Sequence, residues 1–184
     1  MTRRNLLGAG LTLVFAPGIA RAAACRATPR DALGPFYKRD APAQEDLCAG
    51  GSGGERKLSV TGRVLGMPDC APLAGAVVEV WQADEKGHYS DVGSKPDDPR
   101  CLLRARVTSD REGRYRYTTV FPGDYPGRPR HIHYRVSCDG YATLVTQLYF
   151  DRRGRVPEAQ IVSIARDAEG VAQAQFDITL AAAS

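Results

Sequence analysis

Only three histidines and one tryptophan stand among the 184 residues, and the five cysteines (Cys25, Cys48, Cys70, Cys101 and Cys138) include no C-x-x-C pair. Zinc ribbons and thioredoxin-like redox motifs therefore find no support. No apolar run is long enough to cross a bilayer. No segment after the first 24 residues sustains a helical period, and no internal repeat is visible. No stripe of Lys and Arg with interleaved aromatics suggests nucleic acid. The formal charge of +4 includes Arg3, Arg4 and Arg21, all in an opening stretch of 24 residues without Asp or Glu, so +1 remains for the rest. What is present, 43% hydrophobic and 25% charged residues, suits one globular domain and excludes disordered, collagen-like and multi-domain chains.

Residues 1–24 have the pattern of an export signal: a basic start at Arg3-Arg4, an apolar run over residues 6 to 16, and small-x-small cleavage candidates at Ala20-Arg21-Ala22 and Ala22-Ala23-Ala24. Thr2-Arg3-Arg4-Asn5-Leu6-Leu7 resembles the twin-arginine signal, used by proteins exported already folded, often with a cofactor in place. An ordinary secretory signal and a poor lipoprotein site at Ala22-Ala23-Ala24-Cys25 are the alternatives. The expected destination is the periplasm or the exterior, where one or two disulfides can form. Their pairing is not readable from spacing; the odd thiol is assigned to Cys25, at the start of the mature chain.

Residues 25–57 form an irregular arm rich in Pro, Gly, Ser and charge, with Gly50-Gly51-Ser52-Gly53-Gly54 as a flexible joint. Residues 58–184 read as short strands. Leu58-Val60-Gly62-Val64 alternates, Val77-Val78-Glu79-Val80-Trp81 is β-branched, and Arg114-Tyr115-Arg116-Tyr117-Thr118 alternates again. Residues 131–137, 144–150 and 173–180 complete at least six strands, separated by turn clusters such as Cys138-Asp139-Gly140. The expected fold is an all-β antiparallel sandwich with an irregular N-terminal arm.

The densest chemical signal is His131-Ile132-His133. Alternate residues of a strand share a face, so both imidazoles project together, as one half of a metal site or as two polar residues facing solvent. The stiff loop Asp124-Tyr125-Pro126-Gly127-Arg128-Pro129 leads into this strand, so Tyr125 and Arg128 can reach the same volume; otherwise they are a packed aromatic and a surface charge. Tyr89 follows a Gly turn at the end of an earlier strand. Phenolate and imidazole suit hard, oxidised iron, and two Tyr with two His leave a position open. An all-His zinc site would need His88 to turn inward beside Tyr89.

Four segments carry a resemblance: 75–84, containing Val80-Trp81-Gln82-Ala83-Asp84; Gly87-His88-Tyr89-Ser90-Asp91; Tyr125-Pro126-Gly127-Arg128-Pro129-Arg130-His131-Ile132-His133; and Leu144-Val145-Thr146-Gln147-Leu148-Tyr149-Phe150. With Gly34-Pro35-Phe36-Tyr37, they resemble the intradiol ring-cleavage dioxygenases in order along most of the mature chain. The resemblance implies a non-haem Fe(III) held by Tyr89, Tyr125, His131 and His133. Tyr125 matches the ligand displaced by a catechol, Arg128 the cation beside the bound ring, and Gln147 a glutamine near the oxygen side. Gly34 and Pro35 match a segment lining the pocket mouth. The implied reaction opens a catechol-type diol between its hydroxyl-bearing carbons, inserts both atoms of O₂ and yields a muconate-type diacid. The absence of a helical segment ahead of the sandwich makes the chain more like protocatechuate-type subunits or short exported members. Arg130, where a small or neutral residue is common, either binds a substrate carboxylate or is a solvated charge.

The partners implied are a small catechol and O₂, with no nucleic acid or stable membrane span; a homo-oligomer is left open. The competing reading is an exported, non-catalytic sandwich that binds a metal or ligand, since sandwiches host unrelated functions. Trp81 is expected as core or pocket wall, Tyr115 and Tyr117 as cross-strand packing, and Tyr149 and Phe150 as strand-end packing.

Overall fold

The computed structural model describes residues 25–48, 57–89, 101–124 and 127–183. Ten strands run in chain order: β1 Lys57–Gly66, β2 Ala71–Pro72, β3 Val77–Trp81, β4 Arg104–Thr108, β5 Arg114–Val120, β6 His131–Ser137, β7 Leu144–Tyr149, β8 Ala165–Arg166, β9 Ala172–Gln175 and β10 Ile178–Leu180. A single 3₁₀ turn, Glu158–Gln160, is the helical element among the described residues. The expected all-β sandwich is what forms.

One sheet has the order β4-β3-β6-β7 and is antiparallel throughout. The other is built around β1, which pairs with β5 and β2 antiparallel but with β9 and β10 parallel. The sandwich is thus antiparallel apart from these parallel pairs. Strand β4 was not expected from the sequence. The run at 173–180 breaks into β9 and β10 around Phe176 and Asp177, where Arg63 donates its backbone N–H to the Asp177 carboxylate.

Alternation explains the core. In β6, Ile132, Tyr134 and Val136 have no exposed surface, and they join Val78, Val80, Leu144 and Leu148 of their own sheet against Leu58, Val60 and Val64 of β1. Tyr117 and Tyr134 share a hydrogen bond inside this core, and burial holds both phenols neutral. The other face of the β6 sheet carries His131 and His133. It is covered by the arm.

The arm lacks repetitive structure, but backbone hydrogen bonds fasten it to the sandwich at several points. Thr28 donates to the Thr179 carbonyl, Asp31 to Val145, and Leu47 to Thr118; Leu47 itself is fully buried. Disulfides Cys25–Cys70 and Cys48–Cys101 tie both ends of residues 25–48 to the sandwich, and Cys138 is the free thiol. The assignment of Cys25 as the odd cysteine is therefore corrected. The pairing of Thr28 with β10 carries Cys25 to the turn between β1 and β2, where Cys70 sits, a neighbourhood that sequence distance conceals.

Candidate metal centre

Strand register decides what surrounds the histidines. Directly paired residues share a face, so the pairs His131↔Tyr149, His133↔Gln147 and Trp81↔His133 place Trp81, Gln147 and Tyr149 beside the two imidazoles. Trp81 stacks parallel on His133, with centroids 4.9 Å apart and planes 5° apart.

Tyr89 arrives from the opposite side. The Asp84 carboxylate accepts the N–H groups of Lys86 and His88, both at 2.8 Å, and Gly87 takes φ +85°. This side-chain-stabilised turn reverses the chain after β3. It turns His88 outward, 3.6 Å from Asp84, and Tyr89 inward, where it is buried. An all-His site is thereby removed. Phe36 of the arm stacks on Tyr89 with centroids 4.0 Å apart, and Tyr37 leans on Trp81 at 5.0 Å.

Three donor atoms converge. Tyr89 Oη lies 3.3 Å from His131 Nε2, which lies 3.1 Å from His133 Nε2. His131 Nδ1 is 2.6 Å from the Pro129 carbonyl, an acceptor, so that nitrogen carries the proton and Nε2 presents its lone pair inward. His133 Nδ1 is buried without a hydrogen-bond partner among the described residues, and the Ala32 backbone is the group near this ring that favours its protonated form. Burial lowers the pKa of both rings. That of His133 falls to about 3 through burial first, then the charge of His131 if protonated, then Arg128. Two neutral imidazoles with facing nitrogens next to a phenol oxygen form a set that a bound cation would satisfy. Among the described residues no group of three His, Cys, Asp or Glu gathers, so the candidate set is imidazole and phenol.

Gly34 closes the set from the arm at φ +74°. A Cβ built there would lie 3.0 Å from His133 Cε1 and 3.4 Å from Nε2, so only glycine lets the chain pass this close to the ring. Pro35 beside it is exposed. Tyr125 lies outside the described residues. Arg128 is half-buried and donates through Nη2 to Gln147 Oε1 at 2.8 Å and Tyr149 Oη at 3.1 Å. Gln147 has no exposed surface and gives its amide protons to the Ala32 carbonyl and to Asp31. Arg130 points elsewhere: it pairs with Asp124 at 2.9 Å and lies over the Phe121 ring. Arg153 holds the same Asp124.

Sequence reasoning missed Asp31 and the polar role of Tyr149. Tyr149 was legible in principle, because it lies two residues after Gln147 on one strand and so shares its face. Asp31 carried no signal, since an irregular arm has no period.

A family model described as "Dioxygenase" matches residues 32–128. The chain is 36% identical over 138 residues to hydroxyquinol 1,2-dioxygenase of Rhizobium sp. (strain MTP-10005), covering 64% of this chain and 45% of that protein. It is 40% identical over 139 residues to the protocatechuate 3,4-dioxygenase beta chain of Burkholderia cepacia, covering 66% and 58%. Among solved structures, the dioxygenase domain of a dioxygenase carbohydrate-binding protein fusion from Streptomyces sp. SirexAA-E superposes with TM-score 0.72 at 32% identity, covering 86% of this chain and 100% of that one. The chain spans about half the length of the curated relatives it matches. The family match takes in Tyr89 and Arg128 and stops just before the strand whose histidines face them, and on its extent over more than half the sequence the chain belongs to the intradiol dioxygenase family.

Proposed function

We propose that this protein cleaves a catechol-type aromatic diol between its two hydroxyl-bearing carbons, using O₂ and a non-haem Fe(III) held by Tyr89, Tyr125, His131 and His133. The observation that carries the reading is the convergence of Tyr89 Oη, His131 Nε2 and His133 Nε2 within 3.3 Å of their neighbours, with all three rings buried and packed against Phe36 or Trp81 or each other. The names of the relatives support the reaction class, and the chemistry of the donor set supports the metal.

Bound Fe(III) would withdraw electron density from a chelated catecholate and open its ring carbons to O₂. The chain's own residues do the rest. The Pro129 carbonyl fixes the tautomer of His131, so that its Nε2 is always a lone-pair donor. Trp81 and Phe36 cover His133 and Tyr89 and keep bulk water from the ligand rings. The phenolate oxygen of Tyr125, deprotonated as a ligand to the cation, would take a proton from the incoming diol. The Arg128 guanidinium, anchored on Gln147 and Tyr149, offsets negative charge that develops on the ring. Substrate and O₂ sum to a muconate-type diacid with no other reactant consumed.

Export through the twin-arginine route, with residues 1–24 as leader, completes the proposal, and the disulfides among the described residues support an oxidising destination. The test is oxygen uptake and diacid formation with catechol, hydroxyquinol and protocatechuate, alongside iron quantification. His131→Ala and His133→Ala should each lose iron and turnover together. Full activity in either variant would overturn the ligand assignment.

A further inference from the structure

The hydrogen bonds between Arg128 and the arm have a direction, and one carboxylate sets it. Asp31 Oδ1 faces Gln147 Nε2 at 3.2 Å, and the Ala32 carbonyl faces the same nitrogen at 2.8 Å. An ionised carboxylate and a carbonyl only accept, so the Gln147 amide must turn its NH₂ to the arm and its Oε1 to Arg128. Tyr149 has one proton and two acceptors within reach, Asp31 Oδ2 at 2.8 Å and Gln147 Oε1 at 2.9 Å. The carboxylate is the stronger acceptor. With the phenol proton committed to Asp31, the Tyr149 oxygen offers a lone pair to Arg128. The result is a single guanidinium nitrogen, Nη2, seated between two acceptors, Gln147 Oε1 and Tyr149 Oη. Gln147 and Tyr149 are 0% and 4% exposed, so water does not compete for these atoms.

We infer that Asp31 is a positioning residue for Arg128: the arm's carboxylate orders the Gln147 amide and the Tyr149 hydroxyl, and these hold the guanidinium beside the candidate site. Asp31 reaches Arg128 through two side chains on β7, and its charge is also felt at His131. The arm therefore sets the electrostatics of the pocket as well as covering it. The inference rests on the proposed function for its kinetic consequence alone.

The test uses the full chain loaded with Fe(III), with Asp31→Asn, Arg128→Gln and the double variant. Asp31→Asn replaces an obligate acceptor by a group that can donate, so the amide orientation is no longer imposed. If Arg128 acts on charge that develops during reaction, kcat should fall about tenfold with KM changed less than about threefold, at unchanged iron content. In the Arg128→Gln background the Asp31→Asn loss should vanish. On the metal-free proteins, the two single variants should lower Tm non-additively, the double variant recovering about 2 °C or more of the summed losses. Wild-type kcat in Asp31→Asn, or an undiminished loss in the Arg128→Gln background, overturns the inference. If the iron-loaded wild type does not turn over any catechol, the functional reading fails, and the metal-free Tm cycle decides on its own: additive losses overturn the positioning role. Should Asp31→Asn not fold, Tyr149→Phe breaks the same link from carboxylate to guanidinium, and the same cycle applies.

Discussion

Replacing Gly34 by alanine should damage the candidate metal centre without touching any ligand. Two costs arise. An L-residue held at φ +74° pays roughly 1–2 kcal/mol for the left-handed conformation, partly offset by about 0.4–1 kcal/mol from the stiffer unfolded chain. The new Cβ would also sit 3.0 Å from His133 Cε1, so the ring must yield by a few tenths of an ångström. Parallel stacking on Trp81 at 4.9 Å restricts that retreat. Together these amount to about 2 kcal/mol, a fall of roughly 4–8 °C in Tm for a domain of this size. Gly140 is the control: it has φ +81° and nothing within 4 Å of a built Cβ, so Gly140→Ala bears the backbone cost alone. Thermal melts and iron stoichiometry of both variants separate the terms. Gly34→Ala should melt below Gly140→Ala and hold less iron. Equal melting temperatures with full iron in both would refute the argument that Gly34 exists to admit His133.

Other outcomes follow from the same geometry. Ser109 Oγ donates to the Leu73 carbonyl at 2.6 Å and accepts from the Ala76 N–H at 2.9 Å, so Ser109→Ala leaves two buried backbone groups unmet and should cost about 1–3 kcal/mol in denaturant melts. For the metal-free protein, His133 has its pKa lowered to about 3 from 6.5, so the folded state binds fewer protons than the unfolded one in that interval. Its contribution is whole above pH 6.5 and is lost as pH falls, by about 3 kcal/mol at pH 4. Urea melts across that range should show the decline, and His133→Gln should flatten it. The disulfides close spans of 45 and 53 residues, and loop entropy gives each about 4 kcal/mol; replacing Cys48 and Cys101 together by serine should lower Tm sharply, and an unchanged Tm would contradict the tie between arm and sandwich.

The sheet face of the site was legible because strand alternation is local: His131 and His133 share a side, and Gln147 belongs to the strand that pairs with theirs. The β-branched run at Val77–Trp81 likewise announced β3. Strand β4 escaped notice because Arg104 and Arg106 face outward between only two buried residues, Ala105 and Val107, leaving little apolar pattern. The parallel pairing of β1 with β9 and β10 depends on contacts more than 100 residues apart, which no local pattern encodes. Asp31 and the partner of Cys25 were hidden for one reason. The arm takes its course from backbone bonds to β7 and β10, so where its residues land is set by the sandwich and not by their neighbours in sequence.

The central claim is that Tyr89, His131 and His133 hold iron in its oxidised state. The most direct measurement is the visible absorption spectrum of the purified protein with metal quantification, repeated as catechol is added without oxygen. The account predicts a broad tyrosinate-to-iron charge-transfer band that shifts when the diol binds, is weakened and shifted in Tyr89→Phe, where the Tyr125 phenolate remains, and is lost in His131→Ala or His133→Ala. A protein that stays colourless after reconstitution with iron would contradict it.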